Sequence, residues 1–368
     1  MEDTFRYADE FGPARIIHIY RPSLALKAIV VVDNTACGAA IGGIRMAPDV
    51  SVDECFRLAR AMTWKNAAAG LPHGGGKSVI FGDPRMAPAA KEQLIRGFAD
   101  AIRDIADYIP GPDMGTDERC MAWVREEAGR AVGLPSVVGG IPLDEIGATG
   151  FGLAACVDVA REFIGLDLHG ARIAVQGFGA VGKHAARFLA EKGAILVAAS
   201  DTNGTLVDAS GLDVGRLIAL KQSGQSLRDY DKGTKLASDA ILDVDCDIWI
   251  PAARPDVVRA DNVSRLRTRL MPQGANIPCT AEAEQALHAR GILVVPDFIA
   301  NAGGVICAAT EYRGGTQRNA FDYIDERIRD NTRAVLEESR RDKTLPRAAG
   351  FALAERRVRS AMQMKRWR

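Results

Sequence analysis

Two lysines, Lys65 and Lys77, stand twelve residues apart on either side of a glycine-rich stretch. Lys65 ends a predicted amphipathic helix over 52–66. Lys77 follows three glycines, 74–76, which we expect to form a loop before a buried strand. Two ammonium groups directed at one glycine-lined pocket would bind an anion, or one of them would lose its proton. A phosphate-binding P-loop is excluded because that motif requires glycine where this chain has Leu71.

A surface turn with two solvated lysines is the alternative interpretation of this stretch. A carboxylate, Asp113, follows in a predicted loop between Pro112 and Met114. Taken alone, an aspartate in such a setting is more typical of a turn or a helix cap than of a catalytic group. The two lysines and Asp113 are therefore candidates whose role depends on the rest of the chain.

A second stretch with a chemical signature, Gly-Phe-Gly-Ala-Val-Gly, follows the predicted strand 172–176 and opens a predicted helix over 183–192. Its glycines permit a tight turn, close approach of a pyrophosphate and packing of the helix on the strand. A carboxylate, Asp201, ends the next predicted strand, 194–201, 24 residues after the first glycine. This is the pattern of a Rossmann-type dinucleotide-binding unit. The residues expected to contact the dinucleotide here are Gly177, Phe178, Gly179, Ala180, Val181 and Gly182.

The predicted strands 246–251 and 291–297 extend this unit into a parallel sheet, together with a third segment, 271–276, that ends in a turn of small residues. Ligands of such sheets lie beyond the carboxyl ends of the strands, so we expect Ala252, Asn276 and Asn301 on the cofactor side. The fold predicted is therefore α/β with two domains: an α/β substrate domain, a doubly wound Rossmann-type domain and a cleft between them. The boundaries expected are 1–140 plus 341–368 for the first domain, and 141–340 for the dinucleotide-binding domain; the family resemblance described below implies substrate binding and oligomerisation for the first and NAD binding for the second.

The bulk properties exclude several classes of function. The 368 residues carry 47 Lys and Arg against 47 Asp and Glu, so no net field favours nucleic acid or membrane. The seven cysteines are scattered without metal-like spacing, which indicates a reducing compartment and no metal site. The N-terminus has no apolar signal core, and no apolar run approaches membrane-spanning length. We expect a cytoplasmic protein.

These motifs together resemble the glutamate/leucine/phenylalanine/valine dehydrogenase family of amino acid dehydrogenases, over nearly the whole chain. The segments that carry the resemblance are Met-Thr-Trp-Lys-Asn at 62–66, Gly-Gly-Gly-Lys at 74–77, Pro-Asp-Met-Gly-Thr at 112–116, Gln-Gly-Ala-Asn at 273–276 and Asn-Ala-Gly-Gly-Val at 301–305. The resemblance favours a binding site over the solvated-lysine alternative.

The resemblance implies a role for each candidate. Lys77 is the catalytic lysine, Asp113 is its acid/base partner, and Lys65 holds the substrate α-carboxylate. Apolar burial and a second cation, Lys65, would lower the pKa of Lys77 toward the working range. The other positions implied are Gly42, Gly43, Ile41, Met62, Gly111, Asn276 and Ala308 for substrate, and Thr149, Ala252, Ala253, Asn276 and Asn301 for cofactor.

Departures from the family pattern predict the substrate class. Glutamate-specific members have a lysine and a serine where this chain has Ile41 and Ala308, and both serve the side-chain carboxylate. A glutamate side chain buried without a cation would be costly, so an apolar substrate is favoured, and the small Gly111 and Ala308 favour an aromatic one. Ala252-Ala253-Arg254 also departs from the usual Cys-Ala-Leu on the adenosine side.

The function predicted is reversible NAD-dependent oxidative deamination of an apolar or aromatic L-amino acid by a homo-oligomer. NAD is expected over NADP because Asp201 would repel a 2′-phosphate and the residues 202–206 contain no lysine or arginine. One alternative is a hydroxy-acid dehydrogenase with a histidine as acid/base, for which only His73 lies near the proposed site. A second alternative is a catalytically idle, cofactor-binding regulatory protein.

Overall fold

The computed structural model describes residues 5–366 and forms two compact units. Unit 1 comprises Met1–Leu143, Val305–Ala320 and Phe351–Arg368, and unit 2 comprises Asp144–Gly304 and Phe321–Gly350. The expected boundaries differ from this division, because 305–320 belongs to unit 1 and 341–350 to unit 2. The last two boundaries between the units, after Ala320 and after Gly350, fall inside the continuous helices Gln317–Asp342 and Pro346–Gln363. No proline- or glycine-rich linker marks them, so sequence composition gives no sign of them.

Unit 1 is built on a five-stranded sheet with the order β1-β2-β4-β3-β5. Its strands are β1 (Arg15–Arg21), β2 (Leu26–Asn34), β3 (Ala40–Ala47), β4 (Gly74–Phe81) and β5 (Tyr108–Pro112). Strands β1, β2 and β4 pair in antiparallel fashion, and β3 is parallel to both β4 and β5. The helices that complete this part of the chain are α1 (Val52–Ala68), α2 (Pro88–Ala101) and α3 (Glu118–Ala128).

Strand β2 is apolar on both faces because both faces of the sheet are covered. Ala28, Val30 and Val32 pack with residues of α2 and α3 in one core cluster. Ile29 and Val31 pack with residues of α1 in another. Alternate side chains of a strand point to opposite faces, so an unbroken β-branched run is what a central strand of such a sheet requires.

The three glycines that we expected to form a loop instead begin strand β4. Their lack of a side chain is required for close packing. A Cβ on Gly75 would lie 2.0 Å from the backbone nitrogen of Thr63 in α1, and one on Gly42 would lie 1.6 Å from the carbonyl oxygen of Gly76. Helix α1 and strands β3 and β4 therefore approach each other at backbone distance, which fixes the position of Lys77 in the middle of β4.

Unit 2 contains a seven-stranded sheet with the order β12-β11-β10-β6-β7-β8-β9. Its strands are β6 (Arg172–Gln176), β7 (Ile195–Asp201), β8 (Gly204–Val207), β9 (Thr234–Leu236), β10 (Ile248–Pro251), β11 (Leu270–Pro272) and β12 (Leu293–Val295). The five strands from β12 to β7 are parallel, as predicted, whereas β8 and β9 add an antiparallel edge. This edge was not predicted because its strands are only four and three residues long.

The remaining helices are α4 (Leu143–Ile146), α5 (Ala148–Phe163), α6 (Ala180–Ala190), α7 (Val214–Gln222), α8 (Ala281–Ala289), α9 (Asp297–Ala300), α10 (Gly303–Tyr312), α11 (Gln317–Asp342) and α12 (Pro346–Gln363). The unit formed by β6, α6 and β7 confirms the predicted Rossmann-type element. Among the helices of residues 5–366, none combines the length and apolarity that crossing a membrane requires.

Candidate active site

Lys77 and Asp113 form a buried ion pair in unit 1. The distance from Lys77 Nζ to Asp113 Oδ2 is 2.8 Å, and the Lys77 side chain is 6% exposed. Lys77 projects from the middle of β4, and Asp113 follows the last residue of β5. The Thr116 hydroxyl fixes the turn after Asp113, because it accepts a hydrogen bond from the Asp113 N–H and donates one to the Ile44 carbonyl. The structure therefore brings together the two residues expected to transfer protons.

Arg45 on β3 is a third member of this cluster, and it was not among the residues predicted to act in the site. Its Nε donates to Asp113 Oδ2 at 2.9 Å, and its Nη1 donates to Glu54 Oε1 at 2.5 Å. Glu54 lies in the first turn of α1, where Ser51 caps the helix. A sequence signal existed, since Arg45 is two residues beyond Gly43 and therefore on the same face of β3.

The electrostatics of the cluster lower the pKa of both groups of the pair. Burial lowers the pKa of Lys77; the attraction of Asp113 offsets part of this effect, and the repulsion of Arg45 adds to it. Burial opposes ionisation of Asp113, but Lys77 and Arg45 together hold its pKa below the ordinary value. A lowered lysine pKa makes the neutral amine, the form that can act as a general base, less costly to reach than in a solvated lysine.

The glycines of β3 adjoin this pair. A Cβ on Gly43 would lie 2.7 Å from Asp113 Cβ and 3.3 Å from Lys77 Nζ, so only glycine leaves both side chains in place. The hydroxyl of Tyr108, which is fully buried, donates to the Gly42 carbonyl at 2.9 Å. Lys65 is half-buried in the last turn of α1.

Ile41 and Ala308 belong to one apolar cluster of unit 1. Both are buried, with Ile109, Val132 and Ala309, and Ala39 and Leu71 pack against them. Gly111 was expected to leave open space, but a Cβ there would lie 3.1 Å from Val132 Cγ2, so Val132 already occupies that side. Met62 is half-buried on α1.

In unit 2, the turn before α6 fits a dinucleotide pyrophosphate. Gly177 has φ +93°, and its missing Cβ leaves room for Ala253, whose Cβ is 2.6 Å from that position. Gly179 is the N-cap of α6, provides no side-chain cap, and would have nothing within 4 Å of a Cβ. The amides of this helix start are therefore accessible to an anion. Gly179 and Ala180 are exposed, Val181 is half-buried, and Gly182 and Phe178 are buried.

Asp201 ends β7 as predicted, but its carboxylate already has protein partners. Oδ2 accepts from Lys221 Nζ and from the Leu227 N–H, each at 2.9 Å, and Oδ1 accepts from the Asn203 N–H at 2.9 Å. These backbone and lysine contacts outweigh burial and lower its pKa. Lys221 lies on α7, outside the segment 202–206 whose lack of lysine and arginine supported the prediction of NAD.

The loop after β11 lies at the carboxyl end of the sheet, where Asn276 and Asn301 were expected. Asn301 Nδ2 donates to Asn276 Oδ1 at 3.0 Å and to the Gly274 carbonyl at 3.2 Å. The Ala252 N–H donates to the Gln176 carbonyl at 2.7 Å. The loop that begins at Ala252 therefore lies beside the glycine turn at 177–182. Thr149 is half-buried in the first turn of α5.

An ionic cluster beneath the Asn276 loop was also not predicted. Arg347 contacts Glu284 at 2.7 Å, Asp297 at 2.9 Å and Gln273 Oε1 at 2.8 Å. Asp297 in turn accepts from the Ile277 N–H at 2.9 Å. The cluster therefore fixes both ends of the segment that carries Asn276.

Across residues 5–366, no group of three or more His, Cys, Asp or Glu side chains is arranged to hold a metal ion. His73, the histidine of the hydroxy-acid alternative, is buried, and its Nδ1 lies 3.2 Å from the Ala39 carbonyl. Its ring packs edge-on against Tyr312. No bond among the described residues connects it to Lys77 or Asp113.

Two family models match the chain. The model of Glutamate/Leucine/Phenylalanine/Valine dehydrogenase matches residues 139–366. The model of the Glu/Leu/Phe/Val dehydrogenase dimerisation domain matches residues 21–130. The chain belongs to this family, and it is an amino acid dehydrogenase. The family uses a nicotinamide cofactor, which agrees with the turn before α6.

Known relatives differ in the substrates and cofactors named in their descriptions. An NADP(+)-dependent glutamate dehydrogenase of Pyrobaculum calidifontis is 38% identical over 362 residues, which cover 91% of this chain and 85% of the relative. The hetero-hexameric glutamate dehydrogenase of Thermus thermophilus, solved in its Leu-bound form, has a TM-score of 0.84 at 28% identity, with 96% and 90% coverage. The L-tryptophan dehydrogenase of Nostoc punctiforme has a TM-score of 0.75 at 25% identity, with 96% and 98% coverage.

Proposed function

We propose that the chain catalyses reversible, NAD-dependent oxidative deamination of an apolar or aromatic L-amino acid to its 2-oxo acid and ammonia. The observation that carries this proposal is the buried Lys77–Asp113 pair beside Gly43, with the apolar cluster of Ile41 on the same strand. We assign the proton transfers to Lys77 and Asp113. We assign the α-carboxylate to Lys65 and a backbone amide of the β3 glycines.

Asp113 takes a proton from the substrate ammonium, which leaves a neutral amine whose α-hydrogen departs as hydride. A nicotinamide cofactor bound at the turn before α6 would supply the acceptor for that hydride. Neutral Lys77 takes a proton from the water that adds to the iminium carbon and later releases it to solvent. Asp113 returns its proton to the amino nitrogen, the C–N bond breaks so that ammonia leaves, and the hydroxyl loses its proton to solvent as the 2-oxo group forms. In the reverse direction, the ammonium form of Lys77 polarises the 2-oxo group. The burial of Lys77 supports this cycle because it makes the neutral amine accessible.

The apolar cluster of Ile41 and Ala308 supports the substrate class. Burying a carboxylate there without a cation costs several kcal/mol, by order of magnitude. An apolar side chain instead gains about 25 cal/mol per Å² of buried area. The two effects have opposite signs, so discrimination against glutamate should be large. The descriptions of the relatives include both substrate types, since one is a glutamate and another an L-tryptophan dehydrogenase.

The deciding experiment is kcat/KM with NAD for L-glutamate, L-leucine, L-phenylalanine and L-tryptophan under one condition. An apolar or aromatic substrate should be best. In the double variant Ile41→Lys/Ala308→Ser, activity toward glutamate should rise and activity toward the best wild-type substrate should fall. Ile41→Leu is the matched control and should retain the wild-type order. Glutamate as the best wild-type substrate would contradict the proposal.

NAD is the proposed cofactor, with a narrower preference than the sequence alone indicates. Asp201 carries a negative charge where a 2′-phosphate would lie, but Lys221 pairs with it and reduces the repulsion. We expect kcat/KM to favour NAD by about tenfold, which corresponds to about 1.4 kcal/mol. Lys221→Met should increase the preference for NAD over NADP, and Asp201→Asn should decrease it. Fluorescence titration with NADH and NADPH measures the same preference without turnover. Tighter binding of NADPH than of NADH by the wild type would contradict the proposed cofactor.

We also propose that the chain forms a homo-oligomer in the cytoplasm. The match of residues 21–130 to a dimerisation domain and the hexameric Thermus relative support assembly. The seven cysteines are free, and six of them are buried, which supports a reducing compartment. Sedimentation equilibrium would test the assembly, and a monomer at micromolar concentration would contradict it.

A further inference from the structure

Asp113 divides its two carboxylate oxygens between different surroundings. Lys77 Nζ and Arg45 Nε both contact Oδ2, at 2.8 and 2.9 Å. Within residues 5–366, no side chain or backbone group donates a hydrogen bond to Oδ1. The Asp113 side chain is 24% exposed, whereas that of Lys77 is 6% exposed. One oxygen is therefore held by two cations, and the other is available to a ligand.

Arg45 itself is fixed from a second side. Its Nη1 is 2.5 Å from Glu54 Oε1, and the Glu54 backbone N–H is bonded to the N-cap Ser51 at the start of α1. The guanidinium thus joins α1, β3 and the turn after β5. It remains protonated throughout the physiological pH range.

We infer that Arg45, held by Glu54, is a positioning residue that keeps Asp113 anionic while Lys77 is neutral and directs Oδ1 toward the substrate ammonium. This inference rests on the proposed function. The proposed cycle requires Asp113 as a carboxylate and Lys77 as a free amine at the same moment. Without Arg45, that state would leave a net negative charge in a nearly enclosed site. With Arg45, the three groups that meet at Asp113 Oδ2 sum to zero, and the negative charge of Glu54 lies at Nη1 of Arg45 and not at Oδ2.

The other titratable groups near the pair do not provide this charge. Cys55 on α1 contacts the backbone of Lys77, because its Sγ donates to the Lys77 carbonyl at 3.4 Å. Burial raises the pKa of its thiol to about 12, so it stays neutral. Burial likewise raises the pKa of Tyr108, which is bonded to Ser78 and Gly42. On α1, Lys65 is assigned to the α-carboxylate, so Arg45 is the permanent cation bonded to Asp113.

The test is the pH profile of kcat/KM for deamination, measured for the wild type, Arg45→Met and Arg45→Lys. Loss of the cation should raise the pKa of both Asp113 and Lys77, so the acid limb of Arg45→Met should move to higher pH by about 1–3 units. Arg45→Lys keeps a positive charge, so its acid limb should lie close to that of the wild type. Glu54→Gln keeps an acceptor for Arg45 and should shift the acid limb less than Arg45→Met does.

Arg60→Met is the matched control. Arg60 is also on unit 1, is similarly buried and also bridges two carboxylates, Asp9 and Asp33. Its loss should leave the acid limb in place. A lower plateau in Arg45→Met with an unmoved limb would mean that Arg45 only supports the fold, and would overturn the inference.

A second measurement requires no turnover. Competitive labelling of the full chain with trace acetic anhydride, followed by mass spectrometry, gives the pKa of Lys77. That value should be higher in Arg45→Met than in the wild type, and an unchanged value would overturn the inference. If no amino acid were oxidised by the wild type, the proposed function would fail, while the labelling would still report whether Arg45 controls the charge of Lys77.

Discussion

Two ionic clusters, one in each unit, differ in the sign of the group that is shared. In unit 1, two cations, Lys77 and Arg45, share one oxygen of Asp113. In unit 2, one cation, Arg347, is shared by the carboxylates of Glu284 and Asp297. An excess of cations around one carboxylate makes the weaker cation, a lysine, easier to deprotonate. An excess of carboxylates around an arginine only strengthens its hold on the proton.

The two clusters therefore suit different tasks. The cation of the Arg347 cluster is an arginine, which does not titrate in the physiological pH range. Glu284 and Asp297 raise the pKa of Arg347 further, despite the opposing effect of burial. It behaves as a fixed support for the Asn276 loop. The Lys77 cluster contains a group that can change charge and, within residues 5–366, an oxygen to which no protein group donates. Two cations on one carboxylate oxygen, with the other oxygen left as an open acceptor, distinguish a cluster suited to proton transfer from one that maintains structure.

The largest effect should come from Lys77→Met. Loss of a positioned acid/base group typically reduces the rate by about a hundred- to ten-thousand-fold. kcat should fall by this factor, while NADH binding, measured by fluorescence, should change little. Lys27, exposed on β2 of the same unit, provides the control Lys27→Met, which should keep wild-type kcat. Near-normal turnover of Lys77→Met would remove Lys77 from the chemistry.

Arg347→Met should have its main effect on stability. It leaves two buried carboxylates without their cation, which typically costs about 3–5 kcal/mol. Urea unfolding followed by circular dichroism at one protein concentration measures this loss. Arg347→Lys, which keeps the charge but not the forked geometry, should lose less. Surface substitutions usually change the free energy of unfolding by no more than about 0.5 kcal/mol. If the free energy of unfolding of Arg347→Met differed from that of the wild type by no more than this, the cluster would not be a structural support.

The smallest effect should be the pH dependence of stability in Lys77→Met. Burial lowers the pKa of Lys77 from its ordinary value of 10.5. Below the folded-state pKa, the folded protein carries the cost of burying the charge, and this cost disappears as pH rises through that pKa toward 10.5. Relative to the wild type, Lys77→Met should be most stable near neutral pH, and the difference should shrink as pH rises. The Arg347→Met difference should stay constant, because arginine does not titrate there.

The sequence was sufficient for the family, for the Rossmann-type unit and for the pairing of Lys77 with Asp113 as candidates. These rest on local motifs whose glycines and strands determine the backbone. It was not sufficient for Arg45 with Glu54, for Lys221 with Asp201, or for the Arg347 cluster. Each of these contacts joins elements whose distance is set by tertiary packing. The glycines at 74–76 were misassigned as a loop because composition does not distinguish a flexible glycine from one required for close packing.

The contact between Arg357 and the carbonyls of Ala67 and Ala68 has a consequence for biosynthesis. Arg357 Nη1 lies 3.1 Å from the first of these oxygens and 2.5 Å from the second, and so closes the end of the helix that carries Lys65. Arg357 is synthesised 290 residues after Ala67. The end of this helix therefore stays without its arginine cap until Arg357 has emerged from the ribosome, and a product truncated before Arg357 would lack the cap of the helix that carries Lys65.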